Sequence, residues 1–224
     1  IKVPAVSRNL GIEKARGEIV CFTDSDCLTD PDWIRHGVAA FAEGVGVIEG
    51  RVKPVPGDPA PPLCRIKEID GSRSLFDTCN IFYRREALLQ VGGFAEDFFE
   101  NGYPRYYGED LDLGYRVKAA GWERAFASQA LVYHHNQPQT LWQWMKETRL
   151  VFICPYIAKK HPATRKDLLF LRYFLSPATA LFDLGLAGLG LGIAWHPWWA
   201  ALTAPFLAWK LFEGGPGSNP LMRP

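Results

Sequence analysis

The feature that most constrains this chain is Ile19-Val20-Cys21-Phe22-Thr23-Asp24-Ser25-Asp26. A short apolar run that ends in two carboxylates spaced i, i+2 reads as a buried strand with an acidic tip. Open α/β sheets place ligands at the C-terminal ends of their strands. Two hard oxygen donors there suit Mg²⁺ or Mn²⁺ carrying a diphosphate. The competing reading is a plain turn, because Asp and Ser are common turn residues.

A second acidic motif weighs against the turn. Gly108-Glu109-Asp110-Leu111-Asp112-Leu113 runs into Tyr115, Arg116, Val117 and Lys118, and Gly121 supplies a stop. The spacing predicts a helix with Glu109 and Asp110 in its first turn, where the helix dipole favours carboxylates. Capping alone would explain an isolated Glu-Asp pair. Here the pair follows Asn101-Gly102-Tyr103-Pro104-Arg105-Tyr106-Tyr107, an aromatic and Gly-containing loop suited to one wall of a sugar site.

Strand and helix signals alternate up to about residue 135, which predicts an α/β fold with a largely parallel sheet. Helices are expected over Val6–Ala15, Pro31–Phe41 and Arg84–Val91, and strands over Glu18–Thr23, Val45–Val52, Thr78–Tyr83 and Ala130–Tyr133. Pro54 to Pro62 contains five prolines and must be a loop. Cys64–Asp70 reads as a short helix or a flap. The net charge of +1 gives no electrostatic basis for nucleic-acid binding. Five cysteines without a CxxC pair fit a reducing compartment.

Beyond His135 the chain becomes apolar. Gln139–Ile157 reads as an amphipathic interfacial helix, and Lys159, Lys160, Arg165 and Lys166 form a basic cluster. Tyr173–Trp195 carries a single charge, Asp183, and is long enough to span a bilayer. Trp198–Phe212 is short for a second crossing. A hairpin turning at His196-Pro197 is favoured over one span with a half-buried segment, with Trp195, Trp198 and Trp199 as an interfacial belt. The basic cluster puts the preceding domain on the cytoplasmic side. Asp183 is expected at a protein contact.

Four blocks, in order, resemble a family 2 glycosyltransferase of the inverting GT-A type. They are Ser7-Arg8-Asn9-Leu10-Gly11-Ile12, Thr23-Asp24-Ser25-Asp26 with Pro31-Asp32-Trp33-Ile34, Asn80-Ile81-Phe82-Tyr83-Arg84-Arg85 with Gly92-Gly93-Phe94, and Gly108-Glu109-Asp110-Leu111-Asp112-Leu113 with Arg116 and Gly121. The resemblance implies a GT-A-like (Rossmann-like) mostly parallel sheet followed by C-terminal membrane helices. It implies that Asp24 and Asp26 hold Mn²⁺ or Mg²⁺, with Asp26 the better ligand and His134 completing the metal site. His135 should point the other way, by strand alternation. Arg8 and Asn9 are the remaining candidates for the donor phosphates. Asp110 matches the base position and Glu109 would orient the acceptor or Asp110, whereas Asp112 and Trp33 read as structural.

The implied reaction transfers a hexose, with inversion, from a UDP- or GDP-sugar to a lipid-linked or glycan acceptor at the inner membrane, as in the assembly of a cell-envelope polysaccharide. The family's processive synthases carry Gln-x-x-Arg-Trp, and Gln143-Trp144-Met145-Lys146-Glu147-Thr148-Arg149-Leu150 lacks it. This argues for transfer of one or a few sugars. About 80 residues precede the first block in that family and hold the base- and ribose-gripping acids. The expectation is a sheet incomplete at its N-terminus, with boundaries at 1–137 (catalytic), 138–166 (interfacial helix and linker), 167–213 (membrane hairpin) and 214–224 (tail). Two other classes compete. One is a catalytically incomplete membrane-anchored scaffold. The other is a haloacid-dehalogenase-type phosphatase, which needs Thr where this chain has Leu28.

Overall fold

The structure, a computed structural model, describes residues 4–72, 74–96, 108–147 and 153–212. The chain divides into two compact units, residues 1–157 and 158–223. That division falls between the expected boundaries at 137 and 166.

In the first unit the chain order is α1 (Pro4–Lys14), β1 (Ile19–Phe22), β2 (Cys27–Thr29), α2 (Trp33–Ala39), β3 (Val45–Pro54), β4 (Cys64–Arg65), β5 (Ile81–Arg84) and α3 (Arg85–Gln90). Then follow α4 (Glu109–Ala119), β6 (Glu123–His134), β7 (Gln137–Pro138), α5 (Leu141–Glu147) and α6 (Ile153–Lys160), which runs across the division. Strand β3 is buried on both faces from Val45 to Gly50, as a central strand must be. The sheet order is β1-β5-β3-β6-β2. Only β3 and β6 run parallel; the β1–β5, β3–β5 and β2–β6 pairings are antiparallel. The expected largely parallel sheet is therefore corrected to a mixed one. Its cause is two connections without a crossover helix: Thr23–Asp26 turns β1 directly into β2, and the β3-to-β5 connection returns through the proline loop and a flap.

The order also forces curvature. β1 and β2 are opposite edges of the sheet, yet only Thr23–Asp26 separate them. Five strands laid flat would put the edges about 19 Å apart. The connection spans at most about 18 Å even when fully extended, and its turn (Cys27 N–H to Asp24 C=O, 3.2 Å) shortens it further. The sheet must curl, and the curl closes at the aspartates.

The β3–β6 ladder breaks between Gly50 and Arg51, where the register jumps from Ala127 to Leu131. Asn80 repairs the break. Its Nδ2 donates to Arg51 C=O (2.7 Å) and Ala130 C=O (2.8 Å), and its Oδ1 accepts from Trp33 Nε1 (2.8 Å). A Cβ on Gly50 would lie 2.3 Å from Asn80 Oδ1, so only glycine leaves room. Trp33 packs with Phe82 at 5.0 Å between ring centroids, inside the core of Val45, Ile48, Ala127, Ala130 and Val132. On α4, Leu113 and Val117 are fully buried, and Phe76 occupies the space a side chain on Gly114 would need.

Residues 64–70 form a flap rather than a helix: β4 pairs with β7, and Ile69 bridges Val52. Of the helix expected over Gln139–Ile157, Leu141–Glu147 (α5) and the stretch from Ile153 (α6) are helical, and 148–152 lie outside the described residues. Residues 101–107 and 214–224 also lie outside them.

The second unit contains a 3₁₀ turn (Pro162–Thr164), α7 (Arg165–Leu168), α8 (Pro177–Ala194), a 3₁₀ segment (Pro197–Thr203) and α9 (Ala204–Phe212). Ser176 and Thr179 form a reciprocal capping box at the start of α8, with Pro177 in the first turn. Gly185 and Gly188 let the return limb approach: a Cβ on Gly188 would stand 2.5 Å from Trp199 C=O. The 18 residues of α8 rise about 27 Å. The seven-residue 3₁₀ segment and nine-residue α9 together rise about 28 Å, because a 3₁₀ helix is the more extended. The limb that looks short by residue count therefore matches α8 in length.

Candidate active site

Arg8 organises one side of the sheet edge. From α1 its Nη1 donates to Glu109 Oε1 at 2.6 Å and its Nη2 to Thr78 Oγ1 at 2.9 Å. Nη2 also stands 3.9 Å from Asp24 Oδ1, and the guanidinium lies over the Phe94 ring at 5.3 Å. One cation thus joins the tip of β1 to the first residue of α4. Glu109 is 5% exposed, and its second oxygen, Oε2, has no hydrogen-bond partner among the described residues.

Beside it, Asp110 accepts from the Leu111 N–H at 2.8 Å. Burial, then the charges of Glu109 and Asp77, push the Asp110 carboxyl up to about 8, against the opposing pull of the Leu111 N–H and Lys67. Lys67 reaches in from the flap to pair with Asp77 at 2.7 Å. Burial opposes its charge, yet Asp77 and neighbouring acidic groups hold the ammonium above the usual lysine range. Gly108, at φ 101°, makes the left-handed entry into α4 that a side chain would resist.

The other side gathers around Asp26. Gln137 Nε2 donates to Asp26 Oδ2 at 2.7 Å, and His134 Nε2 lies 3.6 Å from the same oxygen. His134 Nδ1 is 2.7 Å from the His135 carbonyl, so it must donate there. In the neutral ring that leaves the Nε2 lone pair facing Asp26, the arrangement that orients a metal-binding histidine. Cys27 stands directly across the ladder from His134. Ligand atoms of Asp26, Cys27 and His134 all lie within 4.8 Å of one another. Burial raises the Cys27 thiol, opposed by its hydrogen bonds to Asp24 and Thr23, which leaves carboxylate and imidazole as the ready donors. That donor set fits a first-row divalent ion such as Mn²⁺. Asp24 is outside this cluster, on the Arg8 side.

His135 faces away and pairs through Nδ1 with Asp58 Oδ2 at 2.8 Å, tying the proline loop to the end of β6. The Asn136 N–H and His135 hold the Asp58 carboxyl below its ordinary value. Asn9 is committed to the 94–96 loop: Oδ1 accepts from Phe94 N–H (2.8 Å), and Nδ2 donates to Phe94 C=O and Glu96 Oε1 (both 2.9 Å). Asp112 is fully buried in an ion pair with Arg116, whose other nitrogens donate to Val91 C=O and Gly93 C=O. Sequence reasoning passed over Cys27, Gln137, Lys67 and Asp77. Of these only Cys27 carried a signal, its adjacency to Asp26.

A family model described as Glycosyl transferase family 2 matches residues 3–92, the range holding Arg8, Asn9, Asp24 and Asp26. A second, described as Glycosyl transferase family group 2, matches residues 63–212, well over half of the 224-residue chain. The chain belongs to this family of glycosyltransferases. The second match contains Glu109, Asp110 and His134 and continues through α8 and α9, so the apolar segment is part of the family region.

Glycosyltransferase AglE of Haloferax volcanii is 28% identical over 141 residues, covering 59% of this chain and 44% of the relative. The pre-mycofactocin glycosyltransferase of Mycobacterium tuberculosis is 28% identical over 155 residues, covering 62% and 31%. The N-acetylglucosaminyl-diphospho-decaprenol L-rhamnosyltransferase of the same organism is 42% identical over 60 residues, covering 27% and 18%. The chain thus spans less than half the length of these curated relatives. Among solved structures it is similar to the mannosyltransferase PcManGT from Pyrobaculum calidifontis, in complex with GDP-Man and Mn²⁺ (TM-score 0.48, 19% identity, 99% of this chain and 57% of that one).

Proposed function

We propose that this chain supplies the acceptor side and the metal site of an inverting hexosyltransferase. The enzyme uses a UDP- or GDP-sugar and a divalent cation, and acts on a lipid-linked or glycan acceptor at a membrane surface. The observation that carries this reading is Arg8 holding Asp24, at the tip of β1, and Glu109, beside Asp110, in one ionic constellation. Donor-side and acceptor-side carboxylates then share one sheet edge.

Asp110 takes the proton of the acceptor hydroxyl as that oxygen attacks the anomeric carbon. The new C–O bond forms on the face opposite the diphosphate, whose own bond to the carbon breaks. Glu109 Oε2, buried and without a partner among the described residues, would accept a hydrogen bond from the acceptor. Asp26 and His134, backed by Gln137, would hold the cation, with Asp24 turned toward Arg8 and the diphosphate. When bound, the cation neutralises charge on the leaving diphosphate.

A lipid-linked acceptor is supported by the rhamnosyltransferase relative, whose name gives a decaprenol-diphosphate substrate. Among the described residues α8 is the one helix long and apolar enough to cross a membrane, with a mean hydropathy of 1.4. We place it in the inner membrane with the first unit cytoplasmic, as the basic cluster at 159–166 favours. Leu141, Trp142, Trp144 and Met145 of α5 are all exposed, as in a helix lying at the lipid interface.

The test is calorimetric titration of UDP and GDP into the full-length protein in detergent, with Mn²⁺ or with EDTA. One nucleotide should bind only with Mn²⁺, and Asp26→Ala should weaken it about tenfold or more. Binding that survives EDTA, or is untouched by Asp26→Ala, removes Asp26 from the donor site.

A further inference from the structure

In the second unit, Pro162, Ala163, Arg165, Lys166, Arg172 and Tyr173 line a cleft of about 370 Å³. We infer that this cleft seats the phosphate head group of an anionic membrane lipid, an assignment that rests on α8 being a membrane span.

Three cations converge on the cleft. Arg165 and Lys166 come from the short helix α7, and Arg172 from the turn that follows it. That turn is closed by Phe170 and Phe174, each donating its N–H to the other's carbonyl at 2.7 and 3.0 Å. The closure holds Leu171 and Arg172 in the left-handed region, at φ 51° and 67°, which costs about 1 kcal/mol or more per residue. Among the described residues none of the three cations pairs with a carboxylate, and Asp167, though also on α7, does not line the cleft. Like charges held around one concavity repel until an anion sits between them. Guanidinium forks match phosphate oxygens in geometry as well as charge.

The rim selects a lipid over free phosphate. Phe170 is 41%, Leu171 66% and Tyr173 76% exposed, so an apolar lip borders the cationic wall. Free phosphate gains nothing from that lip, whereas the acyl chains of a phospholipid cover it. Pro177 begins α8 four residues after Tyr173, which sets the cleft at the head-group level if α8 spans the bilayer. Every lining residue belongs to one compact unit, so the site needs no contribution from the catalytic unit.

The experiment is native mass spectrometry of the full-length protein from micelles doped with dioleoyl phosphatidylglycerol or dioleoyl phosphatidylcholine. The protein should retain one phosphatidylglycerol in preference to phosphatidylcholine, and excess inorganic phosphate should not displace it. Arg165→Gln, Lys166→Gln and Arg172→Gln should each cut retention about fivefold. Lys159→Gln, outside the cleft, should leave it unchanged. The Arg165→Gln/Lys166→Gln pair leaves the strained turn intact, so its loss of lipid cannot be laid to a broken fold. Equal retention of the two lipids, or retention unaffected by the cleft variants, overturns the assignment. Displacement by inorganic phosphate overturns the lipid in favour of a free-phosphate site. Alkaline carbonate extraction of membranes is run beside it: release of the protein overturns the span and the proposal together, whereas a retained protein without lipid preference overturns the cleft alone.

Discussion

Asn80 and Glu109 are both nearly inaccessible polar residues of the first unit, 2% and 5% exposed, and the fold treats them in opposite ways. Asn80 uses its amide fully: one indole N–H and two carbonyls, at the point where the β3–β6 ladder breaks. Glu109 uses one oxygen on Arg8 and has no partner among the described residues for the other, next to an aspartate whose ionisation the site resists. A buried polar group that mends backbone hydrogen bonding is part of the scaffold. One without a partner among the described residues, beside a carboxyl raised by burial, is the kind of group that marks a candidate binding site.

The sharpest way to break this contrast is Asp110→Asn. Transfer by the full-length enzyme should fall about 10³-fold in kcat while metal-dependent nucleotide binding persists. Burial raises the folded-state value from 3.8 to about 8, so the folded chain loses stability as pH rises through that window. The asparagine variant should accordingly melt a few degrees higher at neutral pH. Retained transfer would remove Asp110 as the base.

Asn80→Leu should do the reverse. It orphans Trp33 Nε1 and the Arg51 and Ala130 carbonyls and should cost about 3 kcal/mol in denaturant unfolding, whatever it does to turnover. A cost below about 1 kcal/mol would show that the break in the ladder does not depend on this amide. Glu109→Gln keeps the shape and should change stability by less than about 1 kcal/mol, yet lower transfer about tenfold. If stability collapses instead, Glu109 belongs with Asn80 in the scaffold.

The smallest effect is in the pH profile. With Asp110 as base, kcat/KM should rise about tenfold per pH unit and level off near 8. Asp77→Asn should move that inflection to lower pH, because it removes a charge that raises Asp110 and frees Lys67 to lower it. An inflection that stays put would separate Asp77 from the site.

Much of the framework was legible because it is local. The apolar run into Asp24 and Asp26, the acidic start and glycine stop of α4, and the proline loop each follow from neighbouring residues. Strand β6 was read only over Ala130–Tyr133, although it begins at Glu123. Its first half is not strongly apolar and becomes a strand because β3 requires a partner on that side. Strand direction was misjudged for a similar reason: helix–strand alternation implies crossovers, and the connection from β3 to β5 has none. At the site, Asp26 and His134 stand out as residues, whereas Gln137, Cys27, Lys67 and Asp77 gain meaning only from what they face.

The sequence by itself determined the main helix–strand alternation, the acidic termini, the apolar C-terminal segment and the family, since each depends on short-range pattern and residue order. The tertiary structure alone decided that the sheet is mixed and curls shut at Asp24 and Asp26. It also decided that Arg8 joins the two acidic motifs and that Asp110 holds its proton up to about pH 8. Desolvation and charge pairing depend on which distant segments come within a few ångströms, and no local window of sequence contains those distances.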